Sequence, residues 1–156
     1  MAQNPPVHDD DLFSPSLSQT ASRSLPEGSR PWRLGSQFYV AFFGGPLAIA
    51  AIGFLNATRL GLPSSRAWQI AAAGAAAFAG AVAAVLALES DVTPRLIVAV
   101  AGVACYVVVR RLQKDADRLY GLGQDDEVAY DSLVGPGLLA VVVGGFATIA
   151  VLTGLS

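Results

Sequence analysis

The sequence has few charged residues, and it has only one histidine, one cysteine and one lysine. Charged residues make up 14% of the 156 positions, against roughly 25% in soluble domains. Cys105 has no second cysteine to pair with, and His8 has no other histidine with which to bind a metal ion. A net charge of −2 gives no basic field for nucleic acid. We therefore predict no metal, no cofactor and no nucleic-acid partner.

Long apolar runs take the place of charge. Hydrophobic residues make up 53% of the chain, and the mean hydropathy is +0.51. About 20 apolar residues in a helix cross the hydrocarbon core of a bilayer. We predict an all-α integral membrane bundle of four transmembrane helices in a domain at 36–156. The predicted spans lie at about 37–57, 67–88, 93–110 and 133–155.

No Asp, Glu, Lys, Arg or His lies in the middle of any of these runs. A proton relay, a pathway for a charged substrate and a catalytic triad therefore lack their members. We predict that the protein is not an enzyme. Nine of its ten basic residues are Arg, and Ala, Gly and Val are abundant, which is typical of a GC-rich bacterial genome. We expect a multi-pass protein of the bacterial inner membrane, with the lipid bilayer as its first partner.

Residues 1–35 are rich in Pro and Ser and poor in apolar side chains. Such a segment buries too little surface to offset the entropy lost on ordering. We predict a disordered tail, and a phosphorylated or partner-binding tail is the alternative.

The third run is the shortest, since only 96–109 is continuously apolar. About 14 residues cover about 21 Å, which suits a buried or re-entrant segment as well as a span. We favour a short span, because Arg95 and Arg110 can extend to the two interfaces. Beyond it, apolar residues recur at helical spacing opposite charged ones. This pattern predicts an amphipathic helix that continues the third span and lies at the membrane surface before the last span. These apolar residues are Leu112, Ala116, Leu119 and Tyr120.

Gly44, Gly45 and Pro46 interrupt the first run near its middle. Pro46 has no N–H to donate to the carbonyl of Phe42, so the helix is weakened there. A kinked packing helix is one interpretation. The other is a discontinuous helix whose backbone groups bind a ligand.

The fourth run opens with a similar group, Gly135, Pro136 and Gly137. A shift of 92 positions superimposes Gly45 on Gly137, together with a following Leu and a later Gly-Phe pair. With four spans the two segments would form an inverted pair, as in some transporters.

Rows of small residues four apart favour close helix packing, which is how helices associate in lipid. Two such rows occur, one in the second run and one in the fourth. The main functional hypothesis is a structural or accessory protein that packs against itself, as a homo-oligomer, or against a membrane protein partner. The alternative is a small transporter or channel subunit that uses the broken helices. The rows are Ala73, Ala77 and Ala81, and Ala140, Gly144 and Thr148.

The distribution of Arg and Lys depends on the number of spans. Four spans place four cations on one side and six on the other, whereas three spans place eight against two. The more positive side faces the cytoplasm. The orientation predicted from the sequence therefore depends on the number of spans.

One stretch resembles a group of small uncharacterised bacterial four-span integral membrane proteins. That group shares an F-[FL]-G-G/S-P-L-A core followed by Asn and Leu-Gly, and the likeness covers about 37–155. The resemblance implies four spans but no activity. Members often carry a His and Gly-Gly before the last helix, whereas this chain has no His there. The matching residues here are Phe42, Phe43, Gly44, Gly45, Pro46, Leu47, Ala48, Asn56, Leu60, Gly61, Arg66, Ala67, Pro94, Leu112 and Gln113; Tyr130, Asp131 and Gly135 occupy the departing positions.

Overall fold

The computed structural model describes residues 30–88, 93–122 and 130–155, and regular secondary structure in these ranges is helical. By length and composition, with each counted as one continuous element, all four main helices are long and apolar enough to cross a membrane. The predicted all-α four-helix fold is confirmed, and the helices indicate a multi-pass membrane protein. A 3-10 turn at Leu34–Ser36 precedes α1 (Gln37–Arg59), α2 (Ser64–Ala87), α3 (Pro94–Leu122) and α4 (Val134–Leu155).

The segment before α1 packs on the bundle. Trp32 is 1% exposed, and Pro31 and Leu34 are also buried. The packed part of the chain therefore begins before the predicted domain boundary at residue 36, and burial of the Trp32 ring stabilises the order of these positions. The prediction of disorder for residues 1–29 falls outside the described residues.

α3 continues without interruption from Pro94 to Leu122. Its 29 residues make about 44 Å of helix, well beyond the roughly 30 Å of a hydrocarbon core. The predicted third span at 93–110 and the predicted amphipathic helix are therefore parts of one element. This continuity confirms the prediction that the amphipathic helix continues the third span. The last turns of α3, 114–122, extend beyond its apolar segment and are called its projecting part.

α1 is broken at Gly45, whose φ of 73° and ψ of −168° are not helical. Such dihedrals are accessible essentially to glycine alone. The break divides α1 into a first half-helix, 37–44, and a second half-helix, 46–59, which begins at Pro46. Proline is well suited to the first position of a helix, where no N–H is needed.

The two halves of α1 form a hairpin. The backbone N–H of Trp32 donates a hydrogen bond of 2.7 Å to the Asn56 carboxamide. In a straight helix Asn56 would lie about 28 Å from Gln37. The five residues from Trp32 to Gln37 reach at most about 18 Å, so the bond is possible only if the chain reverses at Gly45. Both ends of α1 therefore lie at the same end of the bundle.

The other helices pack around this hairpin, and among the described elements α1 alone packs extensively against all three. The first half-helix lies against α3 and α4, and the second lies against α2 and α3. Residue pairs along α3 show the reversal, since Gly102 faces Gly45 in the tip, while Tyr106 contacts Phe38 of the first half-helix. Further along α3, Val109 lies beside Gly53 of the second half-helix.

α4 contains no equivalent break. It begins at Val134, so Pro136 lies in its first turn, where backbone N–H groups have no partner within the helix. Gly135 and Gly137 are likewise part of this helix start. The expectation of two similarly placed breaks, and of an inverted pair built on them, is wrong because Pro136 starts a helix and does not interrupt one.

Cysteine labelling tests the hairpin. In a Cys105→Ala background, Gly35→Cys and Thr58→Cys mark the two ends of α1, and both positions are exposed. We expect a membrane-impermeant maleimide to label both from the same side of sealed vesicles. Thr93→Cys, at the start of α3, is the control and should be labelled only from the opposite side. Labelling of Gly35→Cys and Thr58→Cys from opposite sides would show that α1 crosses the membrane as one helix.

Candidate functional site

Two buried amides join the ends of the hairpin to α3. Asn56 and Gln113 are each 0% exposed. Asn56 accepts the Trp32 N–H and donates through Nδ2 to Gln113 Oε1 at 2.9 Å. Gln113 Nε2 donates to the Gly53 carbonyl at 2.6 Å. Because buried polar groups are costly unless paired, this network specifies one position of the hairpin against α3.

A second set of contacts covers the network from outside. The Arg59 guanidinium lies 3.9 Å from the centre of the Trp32 ring and donates to the Arg30 carbonyl at 2.9 Å. It also pairs with Asp131 at 3.3 Å. The Asp131 N–H donates to the Pro31 carbonyl at 3.0 Å. The chain before α1, the end of α1 and the start of α4 are thus tied together.

Sequence reasoning found only part of this arrangement. Asn56 is a candidate through the motif, and Gln113 lies within the same resemblance, yet neither pattern predicts that the two amides meet. Trp32 is not among the predicted site residues, because the residues next to it in the sequence have the composition of a disordered tail. A tryptophan five residues before a hydrophobic run was the available signal.

A third buried amide belongs to Gln37, at the start of the first half-helix. It is 0% exposed, and neither its oxygen nor its nitrogen has a hydrogen-bond partner among the described residues. The interior of the hairpin is therefore polar at the end where the chain enters it.

The tip of the hairpin is closely covered. Gly44, Gly45 and Pro46 are all buried. A Cβ on Gly102 of α3 would collide with the Ala41 carbonyl oxygen, and a Cβ on Gly144 of α4 would lie 2.9 Å from the Gly44 oxygen. Glycines in both neighbouring helices therefore let the backbones meet at the break. The candidate break residues serve close packing here.

The described residues offer little reactive chemistry inside the bundle. Within the ranges that the structure covers, no three His, Cys, Asp or Glu side chains come close enough together to hold a metal ion. Cys105 is buried in the core.

Positive charge is concentrated at one end of the bundle. Of the nine Arg and Lys residues in the described ranges, Arg95 alone lies at the opposite end. We call the charged end the basic end; it comprises residues 30–36, 59–66, 110–122 and 130–133. Its eight cations are Arg30, Arg33, Arg59, Arg66, Arg110, Arg111, Lys114 and Arg118.

Two clefts open at the basic end and share Arg33 and Tyr130. The basic cleft, about 590 Å³, lies against the projecting part of α3. The apolar cleft, about 720 Å³, lies between the first half-helix and the start of α4. Tyr130 hydrogen-bonds Asp117, and burial, followed by the charge of that carboxylate, raises the pKa of Tyr130. Its hydroxyl therefore stays protonated at neutral pH.

Comparison with known proteins does not assign this chain to a family. No protein-family model, no curated protein and no solved structure matches this chain.

A double-mutant cycle tests the amide network. Asn56→Ala leaves the Trp32 N–H and the Gln113 oxygen without partners, at a cost of about 1–3 kcal/mol per buried group. Gln113→Ala removes the same Asn56–Gln113 bond together with the bond to the Gly53 carbonyl. Because one bond is lost in both variants, the double variant should lose less stability than the two single variants summed. Thermal unfolding in mild detergent measures the coupling, expected at about 0.5–3 kcal/mol. Gln69→Ala, an exposed glutamine on α2, is the control; additive losses at Asn56 and Gln113 would contradict the network.

Gly45→Ala tests the dihedral constraint at the tip. A side chain there is strained by the positive φ, and its Cβ would lie 2.7 Å from Val98 Cγ1. We expect a loss of about 1–3 kcal/mol in unfolding free energy, seen as a lower Tm. Gly145→Ala is the matched control, since a Cβ there meets no atom within 4 Å and Ala favours a helix. Equal Tm values for the two variants would disprove the constraint.

Proposed function

We propose that the protein is a non-catalytic accessory protein of the membrane that works by helix packing with a second copy of itself. The observation that carries this proposal is the outward face of α2. Between Gln69 and Leu86, every exposed residue of α2 is Ala or Gly. These residues are Ala72, Ala75, Ala76, Ala79, Gly80 and Ala83.

The contrast with α4 supports an association surface. The outward face of α4 carries large side chains, among them Leu138, Val142 and Phe146, which suit contact with lipid chains. Small side chains gain little from lipid but let two helix backbones approach closely. Ala72, Ala76 and Gly80 are spaced four apart, and a Cβ on Gly80 meets no atom within 4 Å. A helix of another chain would find room there.

The charge distribution supports an orientation. In the topology we propose, α1 folds back and the other three helices cross the bilayer. The basic end carries eight of the nine described cations. By the positive-inside rule this end faces the cytoplasm, and the end of α4 at Leu155 faces the other side. We propose the bacterial inner membrane as the location. Labelling of Thr93→Cys on intact cells, with Gly35→Cys protected until lysis, is the expected pattern.

Disulfide crosslinking in native membranes tests self-association. In the Cys105→Ala background, Ala76→Cys lies on the small-residue face of α2, and Val142→Cys lies on the lipid-facing side of α4. We expect an oxidant to give a covalent dimer with Ala76→Cys and none above background with Val142→Cys. Introducing Ala79→Leu into the Ala76→Cys variant should reduce the dimer several-fold, because a large side chain separates the backbones.

Equal crosslinking at both positions would indicate random collision and would contradict the proposal. Absence of a dimer at both positions would contradict it as well. The control for the Leu substitution is Val143→Leu on α4, an exposed position that changes bulk on the other face and should leave the dimer fraction unchanged.

A further inference from the structure

The basic cleft has the charge pattern of an anion site. Arg110, Lys114 and Arg118 repeat every four residues along α3, and Arg33 lines the same cleft. Like charges four apart on a helix repel one another. Asp117 is the acidic residue that lines this cleft, and it is hydrogen-bonded to Tyr130. The cleft therefore has four cations against one carboxylate, and a phosphate group is a matching ligand.

The apolar cleft continues from the basic cleft towards the tip of the hairpin. Val40 and Phe43 of the first half-helix form one wall, and Leu138 and Val141 of α4 form the other. From Val134 to Val141 the cleft follows α4 over about 10 Å. Phe43 on one wall and Leu138 on the other are both more than half exposed, so an apolar ligand can reach the cleft from outside.

We propose that the two clefts form one binding site for an anionic phospholipid. Its phosphate lies among Lys114, Arg118 and Arg33, and one acyl chain lies between the first half-helix and α4. Tyr130, which lines both clefts, marks the junction between headgroup and chain.

The position of the site fits a lipid of the leaflet at the basic end. Basic pockets between membrane helices on the cytoplasmic side are suited to anionic headgroups. Lys114 and Arg118 follow the apolar part of α3 along the same helix. In a bilayer spanned by that apolar part, they would lie at the level of the lipid phosphates. A soluble phosphate compound has the same charge, but it would occupy the basic cleft alone and leave the walls of the apolar cleft uncovered.

Ligand binding to the full-length protein in mild detergent tests the site. The protein is stripped of lipid, and binding is measured by native mass spectrometry with phosphatidylglycerol, phosphatidylcholine, glycerol 3-phosphate and inorganic phosphate in separate arms. We expect phosphatidylglycerol to be retained and the other three to be lost. Lys114→Ala and Arg118→Ala should each weaken phosphatidylglycerol binding about fivefold, which corresponds to roughly 1 kcal/mol per cation.

Two matched controls separate the site from general surface effects. Arg111→Ala removes a cation of the same helix that lines neither cleft, and it should leave affinity unchanged. Leu138→Trp fills the apolar cleft and should abolish retention, whereas Leu139→Trp, at the exposed neighbouring position, should not.

Several outcomes would overturn the proposal. If Arg111→Ala and Lys114→Ala weakened phosphatidylglycerol binding equally, the attraction would be non-specific electrostatics and not a site. Retention of phosphatidylcholine as strong as that of phosphatidylglycerol would exclude a charge-selective site. Glycerol 3-phosphate bound as tightly as the lipid, or an unchanged affinity in Leu138→Trp, would show that the acyl chain contributes nothing.

Discussion

The hydrogen bond from the Trp32 backbone to the Asn56 carboxamide connects two points that a straight helix would hold far apart. A reversal in the membrane costs backbone hydrogen bonds at the tip and needs compensation elsewhere. Asn56 provides this compensation at the open end of the hairpin. Its side chain accepts the Trp32 N–H and donates to Gln113 of α3, which in turn donates to the Gly53 carbonyl. The lengths of the half-helices, the positions of α3 and α4 and the grouping of the cations all depend on this closure.

The electrostatics of the tip differ from those of a ligand-binding broken helix. The first half-helix ends and the second begins around the single residue Gly45, so a partial negative and a partial positive end adjoin. The partial charges of these two helix ends offset each other. Glycines of α3 and α4 cover the carbonyls of Ala41 and Gly44, which leaves little access for an ion. A break of this kind shapes the bundle, in keeping with a packing role.

Apolar length and period predict the helices well, because they depend only on local composition. The first, second and fourth helices begin and end within a few residues of the predicted spans. The hydropathy of a segment does not depend on the direction of the chain, however. The first run therefore has the same hydropathy whether it crosses the membrane or turns back within it. The cation count from sequence did not supply this information, because its three-span alternative dropped the third run and not the first. That alternative placed Arg59 and Arg66 away from the other cations, whereas the structure groups them at the basic end. Gln113 illustrates a second limit, since its partner Asn56 lies 57 positions away, and no local pattern encodes that contact.

Because α1 turns back, it packs against the other helices over only part of the depth of the membrane. The second half-helix is about 21 Å long, so the hairpin ends before the far side of a roughly 30 Å core. Gly74 of α2 lies beside the Pro46 carbonyl at the tip. The small-residue face that follows it, from Ala75 to Ala83, therefore extends past the hairpin into the part of the membrane that α1 does not reach. In the proposed dimer, a helix from a second copy would pack there, at the depth where α2 no longer has α1 beside it, while the clefts at the basic end stay open to lipid.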